Sequence, residues 1–291
     1  MSIQSIFCIF DGSESELNAV NTAFMLGKSY TAHLRFLHIS VDPNSYANTY
    51  GCGDAYAYPD LRDVAYKENE VRMQKAKKYI ETLAAHYKVL LESAGSPAHH
   101  SSACFAHLTG HPGTIIAEEG RLCDLIVIGH PGKHVLYHDA VVPALFDTGH
   151  PVMLLPPVQK EPSELEDYKT VVISWKSSIE AARAITNAMP FLENAEKVFV
   201  VIANGNSETN DLAPEAPVLA YLHTHNIHAQ VVVVTAGNLE AGEALLAKAK
   251  ELNADLLVMG AYAHTRLREM ILGGVTNYML EKADIPLFLS H

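Results

Sequence analysis

The chain has 291 residues, 48% of them hydrophobic, 19% charged and 8% aromatic, which is ordinary globular composition at about the length of two domains. That excludes collagen-like, disordered and disulfide-stapled classes. Lys and Arg number 21 against 33 Asp and Glu, a net charge of −12, divided as −5 before Val158 and −7 from there on, so neither half has the basic footprint of a protein that binds nucleic acid or anionic membrane.

No apolar run approaches the roughly 18 residues that span a bilayer, and the N-terminus has no basic segment followed by a small-residue cleavage site, so a cytoplasmic protein is expected. Cys8, Cys52, Cys104 and Cys123 show no C-x-x-C spacing and read as reduced thiols.

In chain order, the apolar run 3–10 reads as a strand ended by Asp11-Gly12-Ser13, a turn and N-cap signal, with a helix from Glu14 to about Lys28. HLRFLHI (33–39) is a second strand. Ala76, Ile80, Leu83, Tyr87 and Leu90 recur at steps of four and three, predicting one long amphipathic helix from Leu61 to Ala94, closed by Gly95. A strand near 99–107, a helix at 113–122, a strand at 124–129, a short helix and the strand VMLLP follow. The stretch 156–169 holds three prolines and a charge cluster and reads as linker. Strands are then expected at 170–174, 197–203, 228–234, 255–260 and 286–290, alternating with helices at 178–192, near 214–225, at 239–252 and near 266–281.

CDLIVIGHPG (123–132) and ADLLVMGAYA (254–263) match at a spacing of 131, and each is followed by an apolar terminal strand. The chain is one unit written twice: a first domain over 1–157, a linker over 158–169 and a second domain over 170–291. Continuously apolar strands such as LLVM and VVVV predict sheets covered by helices on both faces. The fold class is therefore α/β, two tandem doubly wound parallel five-stranded sheets of Rossmann-like type. Ligands in such sheets bind beyond the carboxyl ends of the strands, where strand order reverses, which directs attention to the loops after the first and fourth strands of each copy.

In the second copy the later loop runs from Gly260 to Gly273-Gly274-Val275-Thr276, and a helix-forming run begins at Val275. Paired glycines let a backbone approach a ligand closely, and the free N–H groups of a first helical turn attract an anion such as a phosphate. The Thr276 hydroxyl and the guanidiniums of Arg266 and Arg268 would add donors. A glycine turn flanked by solvated arginines is the plainer alternative.

The segment DLLVMGAYAHTRLREMILGGVT (255–276) resembles the nucleotide-binding loop of the universal stress protein family, whose pattern is Gly, two residues, Gly, nine residues, Gly, then a small hydroxyl residue. Gly260 and Gly273 match it, while Ala263 and Gly274 depart from it. The resemblance covers nearly the whole chain. It implies a nucleotide-responsive stress module of the adenine nucleotide alpha hydrolase-like group, with ATP as the ligand of the second copy and magnesium as a possible companion ion. The implied site comprises Trp175, Lys176, Ile202 and Met259 at strand ends; Gly260, Ala263, His264, Arg266 and Arg268 in the loop; and Gly273, Gly274, Val275 and Thr276 at the helix start. It also implies edge-to-edge pairing of VMLLP with PLFLS as an internal pseudo-dimer, with a homodimer and an unidentified protein partner left open.

Asp11-Gly12-Ser13 matches the family's first-strand signature, in which the acid contacts adenine. Lys176 stands there in the second copy, and a lysine cannot accept a hydrogen bond from the adenine amino group. Trp175 is open to base stacking or to packing. In the first copy Gly129-His130-Pro131-Gly132 keeps two glycines, but the loop is four residues shorter and has no glycine pair, so no triphosphate is expected there.

Eleven of the 16 histidines fall in the first copy. His130, His134 and His138 recur at intervals of four, as zinc ligands on a helix can, with His107 as a further candidate, although Pro131 and Gly132 interrupt the helix. A zinc or small-molecule site in the first copy is thus an alternative, and the loop 42–60 could serve it as a lid or be a plain insertion. G-x-S-x-G, H-E-x-x-H and Walker A motifs are missing, so catalytic residues are not assigned and a nucleotide would be held rather than turned over. Slow ATP hydrolysis remains the enzymatic alternative, and a nucleotide-free interaction protein the other.

Overall fold

A computed structural model describes residues 3–41, 59–92, 100–130, 136–157, 168–204, 215–235, 240–261 and 274–291. The chain divides into two compact units, Ser2–Leu165 and Glu166–His291.

The first unit contains β1 (Ser5–Ile9), a 3-10 turn (Glu14–Glu16), α1 (Leu17–Tyr30), β2 (His33–Ser40), α2 (Pro59–Tyr87), β3 (Leu90–Leu91), β4 (Ser102–Thr109), α3 (Pro112–Glu119), β5 (Leu125–Gly129), α4 (Leu136–Phe146) and β6 (Val152–Leu155). Its strands run in the order β3-β4-β2-β1-β5-β6, all parallel. The second unit contains β7 (Thr170–Ser174), α5 (Ile179–Asn187), α6 (Met189–Asn194), β8 (Lys197–Asn204), α7 (Ala216–Thr224), β9 (Ala229–Thr235), α8 (Ala241–Glu251), β10 (Leu256–Gly260), α9 (Gly274–Lys282) and β11 (Leu287–Ser290), in the parallel order β9-β8-β7-β10-β11. In both, strand order reverses beside the first strand, between β1 and β5 and between β7 and β10. The doubly wound reading holds, with β3 as an extra two-residue strand in the first sheet.

Apolar sequence explains the central strands. Ile6, Phe7 and Cys8 in β1, Ile126 and Val127 in β5, and Leu256, Leu257 and Val258 in β10 are all at most 1% exposed, as expected of strands covered on both faces. In the first unit Phe24 of α1 stacks between Phe36 and Tyr87, at ring separations of 4.8 and 5.6 Å, tying α1 to β2 and to the end of α2.

The internal repeat has a hydrogen-bonding basis. Asp124 Oδ2 accepts the main-chain N–H groups of Gln4 and Ser5, at 2.8 and 2.9 Å, and Asp255 Oδ2 accepts those of Lys169 and Thr170, at 3.1 and 2.8 Å. The aspartate preceding each fourth strand thus satisfies the amides that open the first strand and fixes the register of the two.

Three elements differ from the sequence reading. The long helix ends at Tyr87, not Ala94: Lys88 takes a left-handed φ of 57°, Val89 N–H bonds to Ala84 O at 2.8 Å, and Leu90–Leu91 leave to pair with Ser102–Ala103. Leu90 matches the helical spacing but is 56% exposed and does not belong to the buried face of the helix. The predicted helix 178–192 is two helices broken at Ala188, since Pro190 has no N–H to continue the ladder. The valine run of β9 lies at a sheet edge with Val233 55% exposed, so its apolar sequence reflects strand propensity and not cover on both faces.

Candidate functional site

The two copies present the same main-chain frame at their carboxyl edges. Just past the first strand, Phe10 N–H bonds to Leu37 O at 3.0 Å and Trp175 N–H to Val201 O at 2.9 Å. Just past the fourth, His130 N–H bonds to Leu155 O at 2.7 Å and Ala261 N–H to Ser290 O at 2.8 Å. The last residue of each fourth strand is glycine for a packing reason. A Cβ on Gly129 would lie 2.7 Å from Glu16 Cα, and one on Gly260 would lie 2.5 Å from Ala181 N. The turn after the first strand rests directly on these glycines, so the geometry gives Gly260 a structural duty beside the ligand duty suggested by its sequence.

In the second copy the residues singled out from the sequence separate into floor and rim. Ile202 and Met259 are 7% and 3% exposed and form part of the sheet interior, while Trp175 is half-buried and Lys176 exposed beyond the end of β7. Ser178 caps α5 by accepting Ala181 N–H at 3.2 Å. β10 and β11 are parallel, so α9 between them must run back across the sheet and begin at the carboxyl edge. Its first residue, Gly274, is exposed, and a Cβ there would meet none of the described residues within 4 Å. Val275 is half-buried and Thr276 is 5% exposed, so the threonine is largely withdrawn from the surface of this turn. Ala263, His264, Arg266, Arg268 and Gly273 lie outside the described residues.

The sequence reading passed over His291. Its Nδ1–H donates to Ala261 O at 3.0 Å, holding the point where the loop leaves β10, and Arg183 donates to the His291 carbonyl at 3.1 Å. A residue that far along the chain carries no local signal of this contact.

The first copy builds a different surface on the same frame. Gly12 has φ +89°, and a Cβ there would sit 2.9 Å from Arg72 O, so α2 closes onto this turn at a distance only glycine permits. Asp11 Oδ1 accepts Ser13 N–H at 2.6 Å, and Glu16 Oε2 accepts Asp11 N–H at 2.7 Å. Glu16 occupies the position of Ala181 in the other copy and is only 8% exposed. Burial, then the charge of Asp11, push its carboxyl well above the usual range. The signal for it was Ser13-x-x-Glu16, a capping-box pattern whose acid here reaches past the cap to Asp11.

His38, 2% exposed, donates from Nδ1 to Phe10 O at 3.1 Å, and burial pushes its ring toward the neutral form. His107, in register with it, lies 2.9 Å from Ser40 Oγ through Nε2. The zinc alternative gains nothing from this arrangement. Among the described residues no three His, Cys, Asp or Glu side chains are grouped to hold a metal; His134 and Gly132 lie outside those residues, as does the side chain of His138. The loop 42–60 falls outside them up to residue 58. Among the described residues no helix is long and apolar enough to cross a membrane.

Comparison with known proteins agrees with this architecture. A universal stress protein from Archaeoglobus fulgidus DSM 4304 superposes with a TM-score of 0.70 at 16% identity, covering 99% of this chain and 97% of its own. A Pseudomonas aeruginosa UCBPP-PA14 structure assigned to the same family gives 0.58 at 16% identity, with 99% and 93% covered. A protein of unknown function from Pseudomonas aeruginosa PAO1 gives 0.57 at 16%, with 99% and 92% covered. At these identities the likeness is one of fold. Comparison with curated protein sequences gives no match. The model of the universal stress protein family matches residues 2–138 and again 167–291, and the chain therefore belongs to that family, as a tandem of two such domains.

Proposed function

We propose that the protein is a nucleotide-binding stress-response module whose second domain holds ATP or a related phosphate ligand, and that it acts through ligand-dependent contacts with a partner. The observation that supports this is the start of α9. An exposed glycine opens a helix at the carboxyl edge of the sheet, beside the reversal of strand order, and the start of a helix favours an anion. Gly274, Val275 and Thr276 would contribute main-chain donors to the phosphates, with Gly273, Arg266 and Arg268 completing the cradle from the preceding loop. His264 and Ala263 belong to the same loop. Trp175 and Lys176, beyond the end of β7, and Ile202, Met259 and Gly260, at the ends of β8 and β10, would complete the site from the sheet side. Lys176 favours an anionic ligand and offers no acceptor to an adenine amino group, so phosphate recognition dominates base recognition in this reading.

In this reading the ligand is held and not consumed. Magnesium would enter as a companion of the phosphates. The test is calorimetry with ATP and magnesium on the full chain and on Gly274→Val. Because none of the described residues lies within 4 Å of the added Cβ, the variant is expected to stay folded. Its bulk over the first helical turn is expected to abolish binding. Undiminished affinity removes the site assignment, and phosphate release by the wild-type protein replaces the holding role with an enzymatic one. Saturation at 100 times the dissociation constant should stabilise the wild type by about 2.7 kcal/mol, and no thermal shift would favour a nucleotide-free interaction protein.

A further inference from the structure

The last strand of the second copy is followed by a side-chain contact whose counterpart in the first copy cannot form. In each copy the residue after the fourth strand donates its N–H to the end of the final strand, His130 to Leu155 O at 2.7 Å and Ala261 to Ser290 O at 2.8 Å. The residue that follows is Pro156 in one copy and His291 in the other. Its carbonyl is held alike in both: Asn18 Nδ2 of α1 donates to Pro156 O at 2.8 Å, and Arg183 Nη1 of α5 donates to His291 O at 3.1 Å. The main chain is therefore placed the same way, and the two side chains make the difference.

His291 Nδ1 lies 3.0 Å from Ala261 O, and because a carbonyl only accepts, this ring nitrogen carries the proton. A proline in that place has no donor to give. Ala261 is 0% exposed, so its N–H and its carbonyl are both fixed inside the protein, one by Ser290 O and one by the imidazole. Asn187 of α5 adds a hydrogen bond to Ser290 Oγ at 3.2 Å, so the anchoring strand end is itself held. Ala261 is the last described residue before 262–273, the segment that carries Arg266, Arg268 and Gly273. The charge nearby differs in the same sense. Residues 11–18 hold Asp11, Glu14 and Glu16, formally −3, whereas the equivalent 176–183 hold Lys176, Glu180 and Arg183, formally +1. The copy with the imidazole contact is the copy whose edge suits an anion.

We propose that His291 is a positioning residue for the phosphate site of the second copy: by fixing the Ala261 carbonyl it anchors the loop that ends at Gly273 and Gly274, and so pre-organises the donors of that loop for a phosphate. The proposal rests on the nucleotide reading given above and adds to it a residue that lies outside the glycine pattern.

The test is calorimetry with ATP and magnesium on the full chain and on three variants at His291, beside hydrogen exchange of the unliganded proteins read on the peptide that contains Ala261. Asn carries an N–H near the place of Nδ1, Gln carries one near the place of Nε2, and Ala carries neither, so only Asn keeps the contact. His291→Ala and His291→Gln should weaken ATP binding by about tenfold, and His291→Asn should stay within about threefold of wild type. Exchange on the Ala261 peptide should rise in the first two and return toward wild type in the third. Wild-type affinity in His291→Ala overturns the proposal, and so does an equal loss in His291→Asn and His291→Gln, which would mean that the ring acts by its bulk. Lost affinity without faster exchange also overturns it, because His291 would then touch the ligand and not position the loop. A wild type that binds no ATP removes the nucleotide reading and this role with it, whereas a wild type that binds ATP no better than His291→Ala removes the role alone.

Discussion

The carboxyl edges of the two sheets share a backbone and differ in nearly every side chain placed on it. Trp175 takes the position of Phe10, Lys176 that of Asp11, Ser177 that of Gly12 and Ala181 that of Glu16, while the hydrogen bonds closing the strand ends are the same to within 0.1 Å. The first copy has become acidic and enclosed, with α2 pressed onto Gly12 and a buried carboxyl beneath Asp11. The second has a lysine and an exposed helix start. Duplication kept the parts that hold strands together and released the parts that face a ligand, because the former are fixed by contacts on all sides and the latter are not.

If the frame is shared, damage to it should be severe in either copy. Gly260→Val places atoms within 2.5 Å of Ala181 N and 2.6 Å of the Glu180 carbonyl carbon, both main chain, which cannot move aside cheaply. Gly129→Val meets Glu16 Cα in the same way. Each is expected to destabilise its unit by about 3 kcal/mol, read as a lower denaturant midpoint. An unshifted midpoint for one of them would break the equivalence of the two edges.

The paired aspartates give the next largest effect. Asp124→Ala and Asp255→Ala each strip an acceptor from two strand-opening amides and should cost about 2 kcal/mol in chemical denaturation. Asp124 is expected to cost more, because one of its two bonds is partly buried whereas both bonds of Asp255 are exposed.

Glu16 sharpens the contrast through pH. Its folded carboxyl titrates above the ordinary value of 4.5, so above that value the folded state retains a proton that the unfolded state has lost. Stability from this group is full below the ordinary carboxylate range and declines as pH rises through the raised value. Glu16→Gln imitates the protonated form, keeping an acceptor for Asp11 N–H, and should flatten that decline. At neutral pH the variant should be more stable than wild type. Parallel pH–stability curves for the two proteins would remove the buried-acid account of the first copy.

The smallest expected effect is the counterpart of the first. Gly274→Val, whose added Cβ meets none of the described residues within 4 Å, should cost no more stability than an ordinary surface substitution, about 0.5 kcal/mol, in contrast to Gly260→Val. A large loss would mean that the start of α9 is packed and not available to a ligand.

The sequence by itself determined the repeat, the parallel α/β order and the location of both carboxyl edges, because continuous apolar strands and Gly, Pro or Asp punctuation report local geometry and burial directly. It also marked Gly274 through the doubled glycine and the break in the first copy's loop through its length. What only the tertiary structure decided depends on contacts between residues far apart in the chain. Gly129 and Gly260 are fixed by a turn more than 75 residues away. His291 holds Ala261, Ser102 holds His33 against Cys104, and a valine run lies half bare at what is, among the described residues, the end of its sheet's strand order. Periodicity records which side of an element is apolar; it carries no record of which distant atom arrives there, and that arrival is what turns a glycine or a histidine into part of a site.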